Sequence, residues 1–154
     1  MNLHEYQAKE LLKKYKLPIL KGISYIENLK GIEKDLENFN STFWVIKSQI
    51  HAGGRGAGKF KNSFNDKGGV QVVKNKKDVK KIANFMMNNI LITKQTDKEG
   101  KQVKRLLIEE GCNIDREFYL SLLIDTNISK IMVMISSFGG IEIEEIAIKH
   151  PNKI

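Results

Sequence analysis

Residues 44–59 read Trp-Val-Ile-Lys-Ser-Gln-Ile-His-Ala-Gly-Gly-Arg-Gly-Ala-Gly-Lys, an apolar strand with one lysine that leads into a glycine-rich, basic loop. Alternation along a strand places Lys47 on the same face as Phe43 and Val45. A buried ammonium group without a partner is costly, so the head of this lysine must reach either water or an anion. The glycines that follow let backbone N–H groups approach a ligand closely, and Arg55 adds positive charge. A strand lysine followed by a basic glycine loop is one way to hold a polyphosphate.

Two other interpretations of this loop have to be considered. Residues 53–59 match the G-x-x-x-x-G-K pattern of a P-loop, which requires Ser or Thr at the next position and a helix that begins there. Phe60 stands at that position, and residues 61–69 have the composition of a loop, so the P-loop is rejected. The second interpretation is a hairpin loop with solvated charges, and the glycine pattern alone leaves it open.

Composition limits the possible classes of protein. The chain has 154 residues, of which 41% are hydrophobic, enough for one ordinary domain or two small lobes. Its net charge of +8 would suit nucleic acid or an acidic ligand, but no basic segment is interleaved with aromatic residues as in nucleic-acid-binding motifs. The single cysteine, Cys112, excludes an internal disulfide and a Cys-based zinc site. Because we find neither a signal-peptide pattern nor an apolar run of membrane-spanning length, we expect a cytosolic protein without membrane attachment.

The first part of the chain, residues 1–90, alternates helices and strands, which predicts a compact α/β lobe. Asn2 is expected to cap the first helix, with Glu5 bonding back to it, and an apolar stripe at helical spacing follows. Strands are predicted at 19–26, 43–50 and 70–74, with helices after Asn28 and around residues 79–86.

The second part, residues 91–154, has a mainly antiparallel pattern. A strand at residues 90–95 and a turn at 97–100 are followed by three predicted strands with short links, at 103–110, 116–124 and 130–136. Ile141 to Lys149 is expected to form a helix. A small sheet that ends in one short helix makes an incomplete domain, so this second lobe is expected to be truncated. The predicted fold class is therefore α/β for the first lobe, with a partial α+β second lobe.

Two glutamates flank the link between the first two strands of that predicted sheet. Glu109 ends one strand and Glu117 begins the next, where both carboxylates can face one crevice. Such carboxylates accept hydrogen bonds from an amine or from ribose hydroxyls, and the backbone of residues 111–113 could read an adenine edge. From spacing alone, solvated glutamates at a hairpin corner are the better interpretation. The three histidines show no metal-ligand spacing, and Cys112 is interpreted as an inert thiol.

Seven segments together resemble one known family in the same order along the whole chain. That family is the β subunits of succinate–CoA ligases (succinyl-CoA synthetases). The matching segments are residues 1–9, 44–56, 67–70, 93–96, 107–110, 116–120 and 139–144. The β subunits of malate–CoA ligases are similar at the N-terminus, but Ala52-Gly-Gly-Arg-Gly56 is closer to the succinate enzymes.

The resemblance implies an ATP-grasp fold with a nucleotide site for ATP or ADP. Its nucleotide-contacting positions fall on Lys47 (phosphate), Gly54, Arg55 and Gly56 (the phosphate-covering loop), Glu109 and the Cys112 backbone (adenine), and Glu117 (ribose). The family's magnesium ligands lie further along the polypeptide than residue 154, so no metal ligand is expected among these residues. No catalytic residue is expected here either.

The implied reaction is ATP + succinate + CoA giving ADP, phosphate and succinyl-CoA in the tricarboxylic acid cycle, through a phosphohistidine supplied by an α subunit. The succinate loop and the domain that meets the α subunit also lie further along in the family. Residues 1–154 alone are therefore expected to bind nucleotide weakly and to lack ligase activity. The sequence leaves open ATP or GTP, and succinate or malate. A basic nucleic-acid-binding module, suggested by the net charge, is the alternative from a different class.

Overall fold

The computed structural model of the protein describes residues 2–62, 67–140 and 148. Its helices and strands, in chain order, are α1 (Glu5–Lys14), β1 (Gly22–Ile26), α2 (Ile32–Glu37), β2 (Trp44–Ser48), β3 (Lys59–Phe60), β4 (Val70–Val73), α3 (Lys76–Met86), β5 (Ile90–Ile92), β6 (Lys101–Gln102), β7 (Arg105–Glu110), β8 (Tyr119–Asp125) and β9 (Lys130–Ser136). A short 3₁₀ turn, Arg55–Ala57, lies between β2 and β3. No helix in these ranges is both long and apolar enough to cross a membrane.

The strands form three separate sheets. The largest has the order β1-β7-β2-β4, and every pair in it is antiparallel. A small sheet has the order β3-β5-β6, and β8 pairs with β9 in a two-stranded hairpin. The mixed α/β architecture with antiparallel sheets agrees with the predicted fold class.

The hydrophobic core lies on one face of the four-stranded sheet. Trp44 and Ile46 of β2 point to this face and are buried, as alternation along the strand requires. Helix α3 packs there with Val79, Ala83 and Met86, and α2 contributes Ile32 and Leu36 to the same cluster, in the pattern of an amphipathic helix. Strand β2 thus presents Lys47 to the opposite face.

The division of the chain differs from the one expected between residues 90 and 91. Contacts separate a first unit, Met1–Cys112, from a second unit, Asn113–Ile154. The prediction that residues 103–110 begin the second lobe's sheet was wrong, because β7 lies in the middle of the four-stranded sheet between β1 and β2. Its apolar side chains need the cover of the first unit's core, and Leu106 and Ile108 are fully buried there.

The start of α1 also differs from the sequence interpretation. His4, not Asn2, is the N-cap, and its backbone N–H donates to the Gln7 side chain over 2.9 Å. Likewise Gly31, not Asn28, precedes α2. The predicted apolar stripe of α1 buries no residue fully. Glu5 therefore has no capping role.

Several local predictions are confirmed. Strand β4, helix α3 and strand β9 lie where the patterns predicted them. The turn at residues 97–100 is closed by the Gly100 N–H donating to the Asp97 carbonyl, with a positive φ at Gly100. The helix expected from Ile141 to Lys149 lies, apart from position 148, outside the described residues.

Candidate functional site

Lys47 and Glu109 meet on the face of the sheet opposite the core. In the β2–β7 pairing Lys47 lies opposite Leu107 and Val45 lies opposite Glu109, so the two charged residues are diagonal neighbours on one face. The Lys47 Nζ lies 2.7 Å from the Glu109 Oε2. Glu109 is only 1% exposed, so its interpretation as a solvated glutamate was wrong. An anion therefore meets the strand lysine, one of the two outcomes that its position on the strand required.

A second carboxylate, from helix α1, joins this pair. Glu5 Oε1 lies 2.8 Å from Lys47 Nζ, and Glu5 Oε2 accepts a hydrogen bond from Arg55 Nη2 over 2.9 Å. Arg55 Nη1 also donates to the Ser48 carbonyl oxygen over 2.6 Å. Glu5, which the sequence interpretation had placed only in a capping role, thus bridges the strand lysine and the arginine of the glycine loop.

A third cation completes the cluster. Lys9, one helical turn after Glu5 on α1, pairs with Glu109 and lies 3.8 Å from Glu5. Three cationic side chains (Lys9, Lys47 and Arg55) thus face two carboxylates (Glu5 and Glu109), which leaves one positive charge in excess. We call these five residues the charge cluster. An excess positive charge on partly buried, hydrogen-bonded side chains favours an added anion.

The charge cluster favours the ionised forms of Glu5 and Lys47. Burial alone would raise the pKa of Glu5, but the hydrogen bonds and charges of Lys47 and Arg55 outweigh it and lower that pKa to about 2. Burial alone would lower the pKa of Lys47, and the hydrogen bonds and charges of Glu109 and Glu5 outweigh it, so that pKa is raised. The lysine therefore stays an ammonium ion at neutral pH.

The glycine loop has a defined shape. Gly54 adopts a left-handed conformation, φ +67°, that disfavours other residues, and the Gly53 N–H donates to the Gln95 side chain over 2.7 Å. The Arg55 carbonyl accepts from the Gly58 N–H at 3.2 Å and from the Gly69 N–H at 2.8 Å. A side chain at Gly68 would collide with the backbone of Gly56, so the glycines before β4 let the return segment pack against the loop.

Two clefts flank the charge cluster within the first unit. One, of about 370 Å³, is lined by Glu5, Arg55 and the glycines at 53, 54 and 56, among others. The other, of about 360 Å³, lies along α1 and β1 and is lined by Lys9 and Glu109 with further lysines. The loop cleft is where an anion could reach both Arg55 and the glycine N–H groups.

The residues that follow β7 include the predicted backbone contacts to adenine. Cys112 is an exposed free cysteine. The N–H of Gly111 is not free to read a ligand, because it donates to the Phe43 carbonyl over 2.8 Å, and the Phe43 ring leaves no room for a side chain at 111. Of residues 111–113, Cys112 and Asn113 are thus the ones whose backbone N–H remains a candidate for reading the adenine.

Glu117 belongs to the second unit and is exposed there. Its carbonyl accepts a hydrogen bond from the Gly139 N–H over 3.0 Å, and its carboxylate lies beside Gly140, where an added side chain would meet it. Gly140 has a positive φ of 70°. The Gly139-Gly140 turn, which the sequence suggested only as a break in the pattern, therefore holds Glu117 within its own unit.

The described residues do not provide a metal site. In residues 2–62 and 67–140, no three His, Cys, Asp or Glu side chains group closely enough to hold a metal ion. His4 stacks on His51 with ring centroids 4.0 Å apart, and burial together with the charges of His51, Arg105 and Arg55 lowers the pKa of His4. The described residues therefore offer no such ligand cluster, and this histidine pair is a packing contact.

Glu5 and Lys9 are the members of the charge cluster that the sequence interpretation missed. Their i, i+4 spacing on one helix is the signal that could have singled them out. That spacing is also typical of exposed helix pairs, so it does not by itself point to β2 or β7. Only the position of α1 across the sheet face distinguishes the two cases.

Comparison with known proteins confirms the resemblance found in the sequence. The family described as "ATP-grasp domain" matches residues 2–154. The β subunit of ADP-forming succinate–CoA ligase from Paramagnetospirillum magneticum is 51% identical over 156 aligned residues. The subunits of the same name from Rhodospirillum rubrum and Hyphomonas neptunium are 51% and 47% identical.

These alignments cover 100% of this chain and 38–39% of each relative. The chain thus spans well under half the length of the curated relatives it matches. The family match, by contrast, extends over nearly the whole chain, from residue 2 to residue 154. The chain belongs to the ATP-grasp domain family.

Proposed function

We propose that this chain forms the first part of the nucleotide site in the β subunit of an ADP-forming succinate–CoA ligase. The observation that carries the proposal is that Lys47 and the loop residue Arg55 share the Glu5 carboxylate. The lysine and the arginine meet at one carboxylate beside a cleft lined by the glycines at 53, 54 and 56, in a chain that matches the ATP-grasp family over residues 2–154. The names of the relatives supply the substrate class.

In this proposal two cations of the charge cluster, Lys47 and Arg55, bind the phosphates. Lys47 contacts a phosphate oxygen, while Arg55 and the N–H groups around Gly54 and Gly56 cover the phosphate chain. Phosphoryl transfer depends mainly on positioning and on neutralising charge, and these residues supply both. Each remains in place through protein contacts before any ligand arrives, which lowers the cost of ordering the site.

The base and sugar contacts are also proposals. The Glu109 carboxylate would accept a hydrogen bond from the adenine amine, and the Cys112 backbone would read the adjacent ring edge. Each carboxylate oxygen has two lone pairs, so Glu109 can accept that bond in addition to those from Lys9 and Lys47. Glu117 would bind the ribose hydroxyls. The family membership supports these roles, and mutation of each residue tests them.

The reaction proposed for the complete enzyme is the reversible formation of succinyl-CoA from ATP, succinate and CoA. The partner would be an α subunit that carries a phosphohistidine, and succinate, CoA and magnesium would be held by other parts of the assembly. The described residues of this chain position and neutralise the phosphates and perform no covalent step.

Nucleotide titration of the native polypeptide tests the proposal. We expect ATP to raise the melting temperature, and Lys47→Ala to weaken ATP binding about 30-fold, as expected when a charged hydrogen bond is lost. Lys77→Ala, on the exposed side of α3, is the control and should bind ATP normally. Equal binding by both variants, or tight salt-dependent binding of duplex DNA without a response to ATP, would contradict the proposal.

An assay of the complete enzyme, the full-length β subunit together with the α subunit, tests the substrate. Turnover with succinate in the presence of CoA and ATP is expected, and turnover with malate alone would assign the chain to the related malate enzymes. Replacing ATP with GTP in the same assay tests the preference for the base.

A further inference from the structure

Glu5 is the one member of the charge cluster that touches both the strand lysine and the loop arginine. Each of its carboxylate oxygens serves a different cation: Oε1 lies 2.8 Å from Lys47 Nζ, and Oε2 lies 2.9 Å from Arg55 Nη2. The two cations come from different segments, β2 and the 3₁₀ turn after the glycine loop. A single side chain on α1 therefore connects the strand to the loop.

Glu5 is itself held in place. The amide oxygen of Gln49, a residue only 2% exposed, accepts a hydrogen bond from the Tyr6 N–H over 3.3 Å. The Gln49 amide nitrogen lies 3.5 Å from Glu5 Oε2. The first turn of α1 is thus fastened to the end of β2, so the carboxylate has little freedom to leave its two partners.

The arginine side chain of the loop, in contrast, has few contacts of its own. A side chain added at Gly54 would meet no other atom within 4 Å, so the space next to the arginine is open on this side. The Arg55 guanidinium is oriented by the Ser48 carbonyl and by Glu5. Without the carboxylate, one hydrogen bond to a backbone oxygen would remain to define the direction of the arginine.

Both cations keep donors for a further anion. An ammonium group has three N–H donors and a guanidinium has five. In the described part of the chain, Lys47 Nζ contacts two carboxylates and Arg55 makes two hydrogen bonds. A phosphate oxygen can therefore be added to each cation without removing Glu5.

We propose that Glu5 is a positioning residue of the phosphate site, whose carboxylate fixes the Lys47 ammonium and the Arg55 guanidinium relative to each other so that both bind the same phosphate chain. The inference rests on the proposed nucleotide function and adds to it a residue on α1. Because the carboxylate stays ionised far below neutral pH, the arrangement holds throughout the physiological range.

The first test compares ATP with adenosine in variants of the native polypeptide. Glu5→Gln keeps the size of the side chain but loses the charge that serves both cations, and it should weaken ATP binding about tenfold. Adenosine has no phosphate, so its affinity should be unchanged. Glu10→Gln, on the exposed side of the same helix, is the matched control and should leave both affinities unchanged.

A double-mutant cycle distinguishes positioning from a general loss of structure. In an Arg55→Met background, Glu5→Gln should cost clearly less ATP affinity than it does in the wild type, because one of the two groups it positions is already absent. If Glu5→Gln fails to fold, Glu5→Asp keeps the charge on a shorter side chain, and its ATP affinity should fall while its adenosine affinity does not.

Three results would overturn the inference. Tighter ATP binding by Glu5→Gln would show that the carboxylate competes with phosphate, and equal loss of ATP and adenosine would show a purely structural role. Additive effects in the cycle would show that Glu5 does not act through Arg55. A wild type that does not bind ATP would instead refute the proposed function itself, so the two failures are distinguishable.

Discussion

The four-stranded sheet and the β8–β9 hairpin are both antiparallel and both rich in aliphatic residues. They differ in burial, because the sheet buries even a carboxylate while the hairpin exposes aliphatic side chains. In the sheet, Ile46 and Ile108 are fully buried, and even the carboxylate of Glu109 is 1% exposed. In the hairpin, Leu122 and Ile124 of β8 are 65% and 79% exposed. Strand alternation defines the faces in both regions, but the segments that cover a face come from elsewhere in the chain.

One face of the hairpin is formed by aliphatic side chains from both strands. Three cross-strand pairs lie on it: Leu120 with Ile135, Leu122 with Val133, and Ile124 with Ile131. All six side chains are more than half exposed. In the sheet, helices α2 and α3 cover the corresponding aliphatic face, and α1 contributes one cation, Lys9, to the buried carboxylate. The two regions therefore differ in burial because helices cover the sheet, and not because the strands differ in composition.

Removing the buried carboxylate should have the largest effect. Glu109→Ala removes the more deeply buried of the two carboxylates that Lys9 and Lys47 share, and we expect the free energy of unfolding to fall by about 3 kcal/mol. Glu33→Ala removes an exposed pair with Lys80 and should cost less than about 1 kcal/mol. Urea unfolding measures both, and equal costs would show that burial does not distinguish these pairs.

Adding a methyl group at Gly22, beneath the same carboxylate, should have the next largest effect on stability. Gly22 on β1 lies opposite Glu109, and a Cβ added there would come within 2.8 Å of the Glu109 Cγ. Because two lysines hold this side chain, Gly22→Ala should destabilise the fold by about 2 kcal/mol. Ser24→Ala on the same strand is the control. A thermal melt in which Gly22→Ala matches the wild type would contradict the tight packing of Glu109.

Acid should remove the contribution of Glu5. Its pKa falls from 4.5 to about 2 on folding, so its stabilisation is fully present above pH 4.5 and is lost as the pH falls towards 2. Allowing for screening by water, we expect a contribution of about 1–2 kcal/mol. The difference in unfolding free energy between wild type and Glu5→Gln should therefore shrink as the pH falls below 4.5. A pH-independent difference would show that the ionised form is not selectively stabilised.

Truncating the hairpin should have the smallest effect. Leu122 is largely exposed, so Leu122→Ala should change the free energy of unfolding by less than about 0.5 kcal/mol. The same change at the fully buried Ile46 should cost about 3 kcal/mol and serves as the reference. A cost at Leu122 close to that at Ile46 would show that another segment or a partner covers this face in the native protein.

Sequence patterns predicted the local elements well and the non-local ones poorly. Strand β9 and helix α3 follow from residues that lie next to one another in the chain, and the structure confirms them. The place of β7 beside β2 was missed, because that pairing joins segments about sixty residues apart and periodicity carries no information on partners. Glu5 was missed for the same reason, since its partners lie 42 and 50 residues along the chain.

The site residues divide in the same way. Lys47 and Arg55 could be chosen from the chain because a lysine inside an apolar strand and an arginine among glycines are unusual settings. The burial of Glu109 could not be predicted from the sequence, because a glutamate at a strand end is ordinarily solvated. Its environment depends on Lys9, which reaches it from a helix 100 residues away.

The most direct test of the account follows the guanidinium of Arg55 during an ATP titration of native protein labelled with ¹⁵N-arginine. This sequence contains two other arginines, Arg105 and Arg116, which serve as internal references. The account predicts that ATP shifts the Arg55 side-chain N–H signal, that adenosine leaves it unchanged, and that Arg105 and Arg116 respond less than Arg55. An Arg55 signal that stays in place while ATP saturates the protein would contradict the assignment of this loop to phosphate binding.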